Sequence, residues 1–329
     1  MKVLFWGTST FAVPSLRALD DEGFEIVGVV TQPDRPAGRG QRLTPSAVKE
    51  VALELGLEVL QPEQPKTEDF LAAIRRLEPD ISVVVAYGRI LRPDVLDVPR
   101  LGSINIHASL LPELRGAAPI NWAVARGHEE SGITIMRMVE AMDAGAIIYQ
   151  VRERILNDET AGELTVRLSE VGAQALIEAL ALMTAGQVDE IEQDHDAATY
   201  APKVDRATAR VDWTRGAAAV AAHVRGMDSV PGAWSELNGS PVKLYRPVVV
   251  SLDESEGSLS DPSTNGGPPV SEQDIVPGTV LRTAQDEGVL VRAGDGAVLF
   301  SEVQPSGSRR MTATDWIGGR GVAPGQRFE

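Results

Sequence analysis

Three observations predict the fold class of this 329-residue chain: an α/β protein with a doubly wound parallel sheet, followed by a smaller β-rich domain. In residues 1–150, short apolar runs alternate with helical segments, the order that is typical of parallel sheets. One run, ISVVV at 81–85, resembles a strand that is buried on both faces. Towards the C-terminus the pattern changes to short β-runs separated by glycine-containing turns, which indicates a small barrel or sandwich.

The first domain is assigned to residues 1–187 and contains alternating helices and strands. A helix is predicted to begin at Pro14, because proline suits the first turn of a helix. A capping-box pattern from Thr160 to Glu163 opens a long helix whose apolar positions reach Leu182. Two further helices are predicted at 46–55 and 67–77. The predicted strands are 3–6, 26–30, 58–60, 81–85, 103–107 and 133–139.

The remainder of the chain divides into a connector and a second domain. Residues 188–207 contain few large apolar side chains and are interpreted as a linker. The second domain, 208–329, is predicted to hold one helix near 217–225. Its strands are predicted at 242–250, 278–281, 288–291 and 297–303. Residues 251–272 are rich in Ser, Gly, Pro and acidic residues, and we interpret them as a disordered insertion.

Composition limits the class of protein. There is no cysteine, which excludes disulfides, thiolate catalysis and cysteine-ligated metal. No run of about 18 apolar residues predicts a membrane span, and the N-terminal residues lack the pattern of a signal peptide. The simplest interpretation is a cytoplasmic enzyme. A net charge of −16 disfavours a nucleic-acid binder that uses its whole surface, although local basic loops act within a Debye length of about 8–10 Å.

The segment INIHASLLP contains the most informative polar residues. Side chains alternate between the faces of a strand, so Asn105, His107 and Ser109 share one face. This polar face comes at the carboxyl end of the strand, where ligands of open α/β sheets bind. The alternative is that Asn105 and His107 are ordinary polar groups near a loop, with their hydrogen bonds satisfied.

Asp143 is the candidate third member of this site. It follows the apolar strand predicted at 133–139 and precedes Ala144 and Gly145. Asn105 and His107 can donate to a developing oxyanion, and Asp143 can orient the imidazole and accept a proton. The three side chains together indicate acyl transfer. Asp before Gly is also common in turns, so a purely structural role for Asp143 remains an alternative.

Two loops suggest contacts with anions. Gly7 to Thr10 joins a strand to a helix, but a G-x-G-x-x-G pattern is absent and nicotinamide binding is not indicated. The loop TQPDRPAGRGQRLTPSAVK at 31–49 carries Arg35, Arg39 and Arg42, and is a candidate phosphate contact in an acidic chain. A solvated surface loop is the alternative. The four histidines show no spacing that is typical of metal ligands, so no metal is expected.

These motifs together resemble the folate-dependent formyltransferase family. The resemblance rests on Asn105-Ile-His107, on Ser109-Leu-Leu-Pro112 and on Asp143 in a Met-Asp-Ala-Gly turn. It is fullest to members that act on initiator methionyl-tRNA, whose sequences are similar to TQPDRPAGRG, VVVAYGRIL, RGAAPIN and TYAPKV. The similarity covers nearly the whole chain except about 251–272.

The resemblance implies a fold, a reaction and roles for residues. It implies a Rossmann-like catalytic domain followed by an OB-like barrel that holds tRNA. The expected reaction transfers the formyl group of 10-formyltetrahydrofolate to the α-amine of methionine on initiator tRNA, by a monomer. The catalytic residues would be Asn105, His107 and Asp143. The folate-binding residues would be Ser109, Leu110, Leu111, Pro112, Arg89, Ile90 and Leu91, and the tRNA-binding residues Arg35, Arg39, Arg42, Lys203, Arg309 and Arg310.

Two other functions fit parts of the pattern. A formyltransferase that acts on the amine of a nucleotide sugar would share the catalytic residues and SLLP, but it would need neither the basic loop nor the Arg309–Arg310 pair. A non-catalytic tRNA- or folate-binding protein would not need a matched proton acceptor such as Asp143.

Overall fold

The structure is a computed structural model that describes residues 1–37, 40, 42–250, 275–284 and 287–329. The chain forms two compact units. The first comprises Met1–Ile120, Glu130–Arg154 and Glu163–Pro202, and the second comprises Asn121–Glu129, Ile155–Gly162 and Lys203–Glu329. The insertion predicted at 251–272 lies outside the described residues, as does Arg39. Over the described part of the chain, no helix is long and apolar enough to cross a membrane.

A sheet of seven strands forms the centre of the first unit. The strands of this unit are β1 Lys2–Gly7, β2 Glu25–Val30, β3 Arg35–Ala37, β4 Arg42–Thr44, β5 Val59–Leu60, β6 Ile81–Val85, β7 Ser103–His107, β8 Glu130–Arg137 and β9 Ile147–Arg154. The sheet has the order β5-β2-β1-β6-β7-β8-β9, while β3 and β4 form a separate hairpin. The predicted α/β class is confirmed.

The predicted parallel sheet is present over five strands, and two antiparallel strands extend it. Strands β5, β2, β1, β6 and β7 pair in parallel. Strand β8 is antiparallel to both β7 and β9. The connection from β8 to β9 spans only 138–146, and a parallel pair needs a crossover of a dozen or more residues. A turn of this length therefore requires antiparallel pairing.

The helices largely follow the predicted positions. Helix α2 begins after Ser46, whose hydroxyl accepts a hydrogen bond from the Lys49 amide at 3.1 Å, and Thr67 caps α3 in the same way. The long helix α6 was predicted from its capping box. The helices before the second domain are α1 Val13–Asp21, α2 Ala47–Glu54, α3 Glu68–Arg76, α4 Pro93–Leu96, α5 Pro119–Ala125 and α6 Ala161–Thr184.

The core of the first unit is centred on β1 and β6. Every residue from Val3 to Trp6 is fully buried. The Trp6 indole packs edge-on against Phe70 and Tyr87, with ring centroids 5.8 and 5.3 Å apart. Such edge-to-face pairs stabilise a core by about 0.5–1.5 kcal/mol beyond the burial of apolar area. The strands that carry the predicted site are therefore anchored in a densely packed sheet.

The second unit contains a closed antiparallel sheet. Its elements are α7 Ala217–Met227, β10 Trp234–Leu237, β11 Ser240–Val250, β12 Val280–Ala284, β13 Gly288–Arg292, β14 Ala297–Pro305, β15 Met311–Thr312 and α8 Ala313–Gly318. The strand order is β10-β11-β14-β13-β12. The C-terminal residues bridge both edges, because Phe328 pairs with Leu237 and Arg327 pairs with Thr279. This closure confirms the predicted β-rich second architecture.

Candidate active site

His107 lies at the carboxyl end of β7 and is held in one orientation. Its side chain is 6% exposed, and Nε2 lies 3.0 Å from the carbonyl oxygen of Leu114. A carbonyl oxygen only accepts hydrogen bonds, so Nε2 carries a proton. The other ring nitrogen, Nδ1, lies 3.8 Å from Oδ1 of Asp143. This distance is too long for a direct hydrogen bond, so the two groups face each other across a narrow gap.

Asp143 reaches His107 by a route that the sequence did not indicate. The prediction placed it at the end of a strand beside the end of β7. Because β8 is antiparallel to β7, its final residue, Arg137, pairs with Ile104 near the start of β7. The loop 138–146 then brings Asp143 back to His107. The contact between the two side chains is therefore produced by the loop and not by neighbouring strand ends.

The Asp143 carboxylate has a fixed partner. Its Oδ2 accepts a hydrogen bond of 2.8 Å from the backbone amide of Gly116. Asp143 has a φ of 53° and Gly116 a φ of 117°. Asp tolerates the left-handed region better than most residues, whereas a φ near 117° is open mainly to glycine. Both backbone conformations serve to bring this amide and this carboxylate together.

Asn105 lies on the same face of β7 as His107, two residues earlier. It is half-buried, whereas Ile104 and Ile106 on the opposite face are 0% and 4% exposed. The alternation expected from the sequence is therefore present. Within the described residues, the side-chain amide of Asn105 makes no hydrogen bond. Its N–H groups remain available to a bound molecule.

The segment Ser109–Pro112 is tied to the sheet by its own polar groups. The Ser109 hydroxyl donates to the carbonyl of Glu113 at 2.6 Å. Thr134 on β8 donates to the carbonyl of Ser109 at 2.6 Å and accepts from the amide of Leu111 at 3.2 Å. Ser109 and Leu111 are buried, while Leu110 and Pro112 are partly exposed. Only these two of the four side chains are accessible to a ligand.

The residues predicted beside the pterin lie in the loop after β6 and differ from one another. Leu91 is 5% exposed, and its side chain packs into the hydrophobic core and anchors the loop there. Ile90 is 85% exposed. The Arg89 guanidinium donates to the backbone carbonyl of Glu63. Ile90 is therefore the one large apolar side chain of this loop segment that a ligand could cover.

The predicted tRNA loop contains the hairpin of β3 and β4, and hydrogen bonds fix Asp34, the residue just before β3. Lys49 donates to both carboxylate oxygens of Asp34, at 2.9 and 2.8 Å, and Gln61 donates to Oδ1 at 2.8 Å. The hydrogen bonds from Lys49 and Gln61 lower the pKa of Asp34. Arg35 donates to the side chain of Gln32. Arg42 is exposed on the hairpin.

The basic residues predicted in the second unit have different surroundings. Lys203 and Arg309 are exposed. Arg310 binds Asp228 with an N–O distance of 3.0 Å, and its guanidinium also lies 3.9 Å from the ring centroid of Tyr245. Burial alone would lower the pKa of Arg310, but the hydrogen bonds to Asp228 and Glu302 and the charges of these carboxylates together raise it above its usual value. Arg310 is thus part of an internal network of charges, unlike its neighbour Arg309.

Three residues that hold Asp143 or its turn by hydrogen bonds were not predicted. Gly116 donates to the carboxylate, and Gln193 and Arg115 support the turn that carries it. Gln193 falls in the stretch interpreted as a linker, 188–207, whose residues up to Pro202 belong to the first compact unit. Arg115 and Gly116 lie in the RGAAPIN motif, whereas Gln193 lies in none of the motifs named above.

Comparisons with known proteins identify the family of the chain. The profile described as "Formyl transferase" matches residues 1–180, and "Formyl transferase, C-terminal domain" matches residues 203–321. A methionyl-tRNA formyltransferase of Symbiobacterium thermophilum is 43% identical over 328 residues, covering 100% of this chain and 95% of the relative. One of Thiobacillus denitrificans is 44% identical, covering 100% of this chain and 99% of the relative.

Solved structures share the fold. HypX from Aquifex aeolicus, in complex with tetrahydrofolic acid, superposes with a TM-score of 0.61 at 20% identity. The match covers 97% of this chain and 47% of HypX. At this identity the likeness is one of fold. The two profile matches and the full-length relatives establish that the chain belongs to the formyl transferase family, among the methionyl-tRNA formyltransferases.

Proposed function

We propose that this chain transfers the formyl group of 10-formyltetrahydrofolate to the α-amine of methionine on initiator tRNA. The observation that carries the proposal is the identity of 43–44%, over the full length, with proteins named methionyl-tRNA formyltransferase. The approach of His107 to Asp143, on the strand face that also carries the side-chain amide of Asn105, supports it, because acyl transfer to an amine needs oxyanion donors and a proton acceptor.

In this proposal the three side chains have distinct tasks. The neutral amine attacks the formyl carbon, and the oxygen of the tetrahedral intermediate takes up negative charge. Because Nε2 of His107 is bound to the carbonyl of Leu114, Nδ1 of the protonated imidazole is the donor left for that oxygen. The Asn105 amide is the second donor. Asp143 accepts the amine proton, directly or through water, and passes it to N10 of tetrahydrofolate as the bond between N10 and the formyl carbon breaks.

The binding residues follow the same proposal. The folate lies against Ser109–Pro112 and Arg89–Leu91, where the accessible apolar side chains are Leu110, Pro112 and Ile90. The acceptor end of the tRNA contacts Arg35, Arg39 and Arg42 of the first unit and Lys203 of the second, and Arg309 and Arg310 also contribute from the second unit. In this proposal residues 1–187 form the catalytic domain and 208–329 the tRNA-binding domain, joined by 188–207. The reaction takes place in the cytoplasm, and the chain acts as a monomer.

Label transfer tests the proposal directly. The purified chain is incubated with 10-formyltetrahydrofolate labelled in the formyl group and with initiator methionyl-tRNA, elongator methionyl-tRNA or a nucleotide-linked amino sugar. Label should appear in the initiator methionyl-tRNA far faster than in the other two acceptors. Preferential labelling of the amino sugar would reject the tRNA substrate. Tight binding of tRNA and folate without transfer would indicate a binding protein.

A further inference from the structure

Gln193 makes an unusually complete set of contacts for a residue outside any helix or strand. It is 5% exposed. Its Nε2 donates to the carbonyl oxygens of Asp143 and Gly145, at 2.9 and 2.7 Å. Its Oε1 accepts from Nε and Nη2 of Arg115, at 3.1 and 2.6 Å. Both donors and both acceptor positions of the amide are therefore occupied.

The chemistry of these partners fixes the orientation of the amide. The two carbonyl oxygens can only accept, and the Arg115 guanidinium can only donate. A flipped Gln193 would place oxygen against oxygen and N–H against N–H. Arg115 is itself 4% exposed, and its Nη2 also lies 3.0 Å from Nδ1 of His195. Arg115 thus connects Gln193 to His195 at the surface of the unit.

Arg115 also connects Gln193 to the carboxylate of Asp143 through the backbone. Its amide donates to the carbonyl of Thr199 at 2.9 Å, and its carbonyl accepts from the amide of Ala201 at 2.7 Å. This ladder fixes the next amide, that of Gly116, which donates to Oδ2 of Asp143. Asp143 is therefore held at two points, its main-chain carbonyl and its carboxylate, by one connected set of groups.

We propose that Gln193, oriented by Arg115, is a positioning residue that sets the Asp143 carboxylate opposite His107 for formyl transfer. The inference rests on the proposed function, in which Asp143 accepts the proton of the attacking amine. The turn at Asp143 has a left-handed backbone, which persists only where surrounding groups hold it. Without Gln193, two carbonyl oxygens of this turn lose their donor, and the carboxylate moves away from its place opposite His107.

The first experiment compares Gln193→Ala and Gln193→Glu with the wild-type chain in formyl transfer from 10-formyltetrahydrofolate to initiator methionyl-tRNA. A displacement of 1 Å in a reacting group can cost about 100-fold in rate, so kcat should fall about 10- to 100-fold in both variants. The KM values for both substrates should stay within about twofold. Gln193→Glu keeps the contact with Arg115 as an ion pair, and so covers the case in which Gln193→Ala fails to fold.

A matched control separates positioning from a general loss of stability. Ser103, at the opposite end of β7, is buried and donates to the carbonyl of Leu96 at 2.8 Å. Ser103→Ala removes a buried hydrogen bond from the same unit without touching the Asp143 turn. It should lower the melting temperature yet keep kcat within about twofold of wild type. A similar fall in kcat for Ser103→Ala and Gln193→Ala would overturn the inference.

A double-mutant cycle gives the decisive comparison. If Gln193 acts through Asp143, then Gln193→Ala should cost no further kcat once Asp143→Ala is present. Multiplication of the two losses would overturn the positioning role while leaving the catalytic role of Asp143 intact. Wild-type kcat in Gln193→Glu would do the same. Near-wild-type kcat in Asp143→Ala would instead reject the catalytic role of Asp143, and the inference with it, whereas a wild-type chain that transfers no formyl group to initiator methionyl-tRNA would reject the proposed function.

Discussion

Replacing Gly116 by alanine tests how closely the Asp143 carboxylate must be held. A Cβ at this position would lie 2.8 Å from the carbonyl oxygen of Ala201, whereas ordinary contact begins at 3.4 Å. The backbone must therefore move by about 0.6 Å, in addition to the strain of a φ of 117°. A shift of that size takes the Gly116 amide out of the range of a normal hydrogen bond to Asp143, now 2.8 Å long.

The expected loss follows from the energy of that bond. Hydrogen bonds to charged groups contribute about 1.5–3 kcal/mol, and each 1.4 kcal/mol added to a barrier slows a reaction about tenfold. Single-turnover formyl transfer by Gly116→Ala should therefore be about 10- to 150-fold slower than in the wild-type chain. Gly56→Ala is the control, because Gly56 also has a positive φ, of 70°, and apart from its chain neighbours no described residue places an atom within 4 Å of an added Cβ.

The two variants should separate rate from stability. Both should lower the melting temperature, because alanine is strained at a positive φ in each. Only Gly116→Ala should slow the chemical step. A single-turnover rate for Gly116→Ala within about threefold of that for Gly56→Ala would refute the view that this amide holds a catalytic carboxylate.

Three further predictions concern other parts of the chain. Arg42→Ala should raise KM for tRNA. It should also reduce the slope of log KM against the logarithm of the salt concentration by about 0.7–0.9, the value for one lost phosphate contact. An unchanged slope would show that Arg42 does not contact the tRNA. Arg310→Ala should lower the free energy of unfolding by about 1–3 kcal/mol, because Asp228 is left buried without its cation. Arg309→Ala should leave stability unchanged in the same denaturant titration, and equal losses would contradict this account. Burial lowers the pKa of His223 below its usual value of about 6.5. The unfolded chain therefore binds a proton at a higher pH than the folded chain, and the free energy of unfolding falls as the pH drops below about 6.5. His223→Gln should show a smaller fall in the free energy of unfolding between about pH 7.5 and pH 5.5, and an equal fall would contradict the assignment.

The sequence predicted those parts of the fold that depend on local patterns. Strand β6 was recognisable because its residues are apolar and β-branched almost throughout, and α6 because Thr160 and Glu163 mark its start. The sequence predicts a loop where the structure has the hairpin of β3 and β4, because Pro36 and the glycines at 38 and 40 suppress any strand signal. Strand β9 was missed because its second half, QVRER, is mostly polar.

The site was predictable where chemistry is carried by residue type and alternation. Asn105 and His107 lie on one face of β7, and Asp143 reaches the imidazole as expected, although by way of a loop and not a strand end. Gln193 and Arg115 could not be found in this way. Their contacts join positions 48 to 78 residues apart in the sequence, and local patterns carry no signal for such pairing.

The central claim is that Asp143 accepts the proton of the attacking amine while Asn105 holds the oxyanion. The most direct measurement is the single-turnover rate of formyl transfer to initiator methionyl-tRNA by Asn105→Ala and Asp143→Ala, each verified to be folded by its melting temperature. Loss of one oxyanion donor typically slows turnover by about 10²–10³, which is the result expected for Asn105→Ala, with a larger loss for Asp143→Ala. A rate close to that of the wild-type chain in either folded variant would contradict the account.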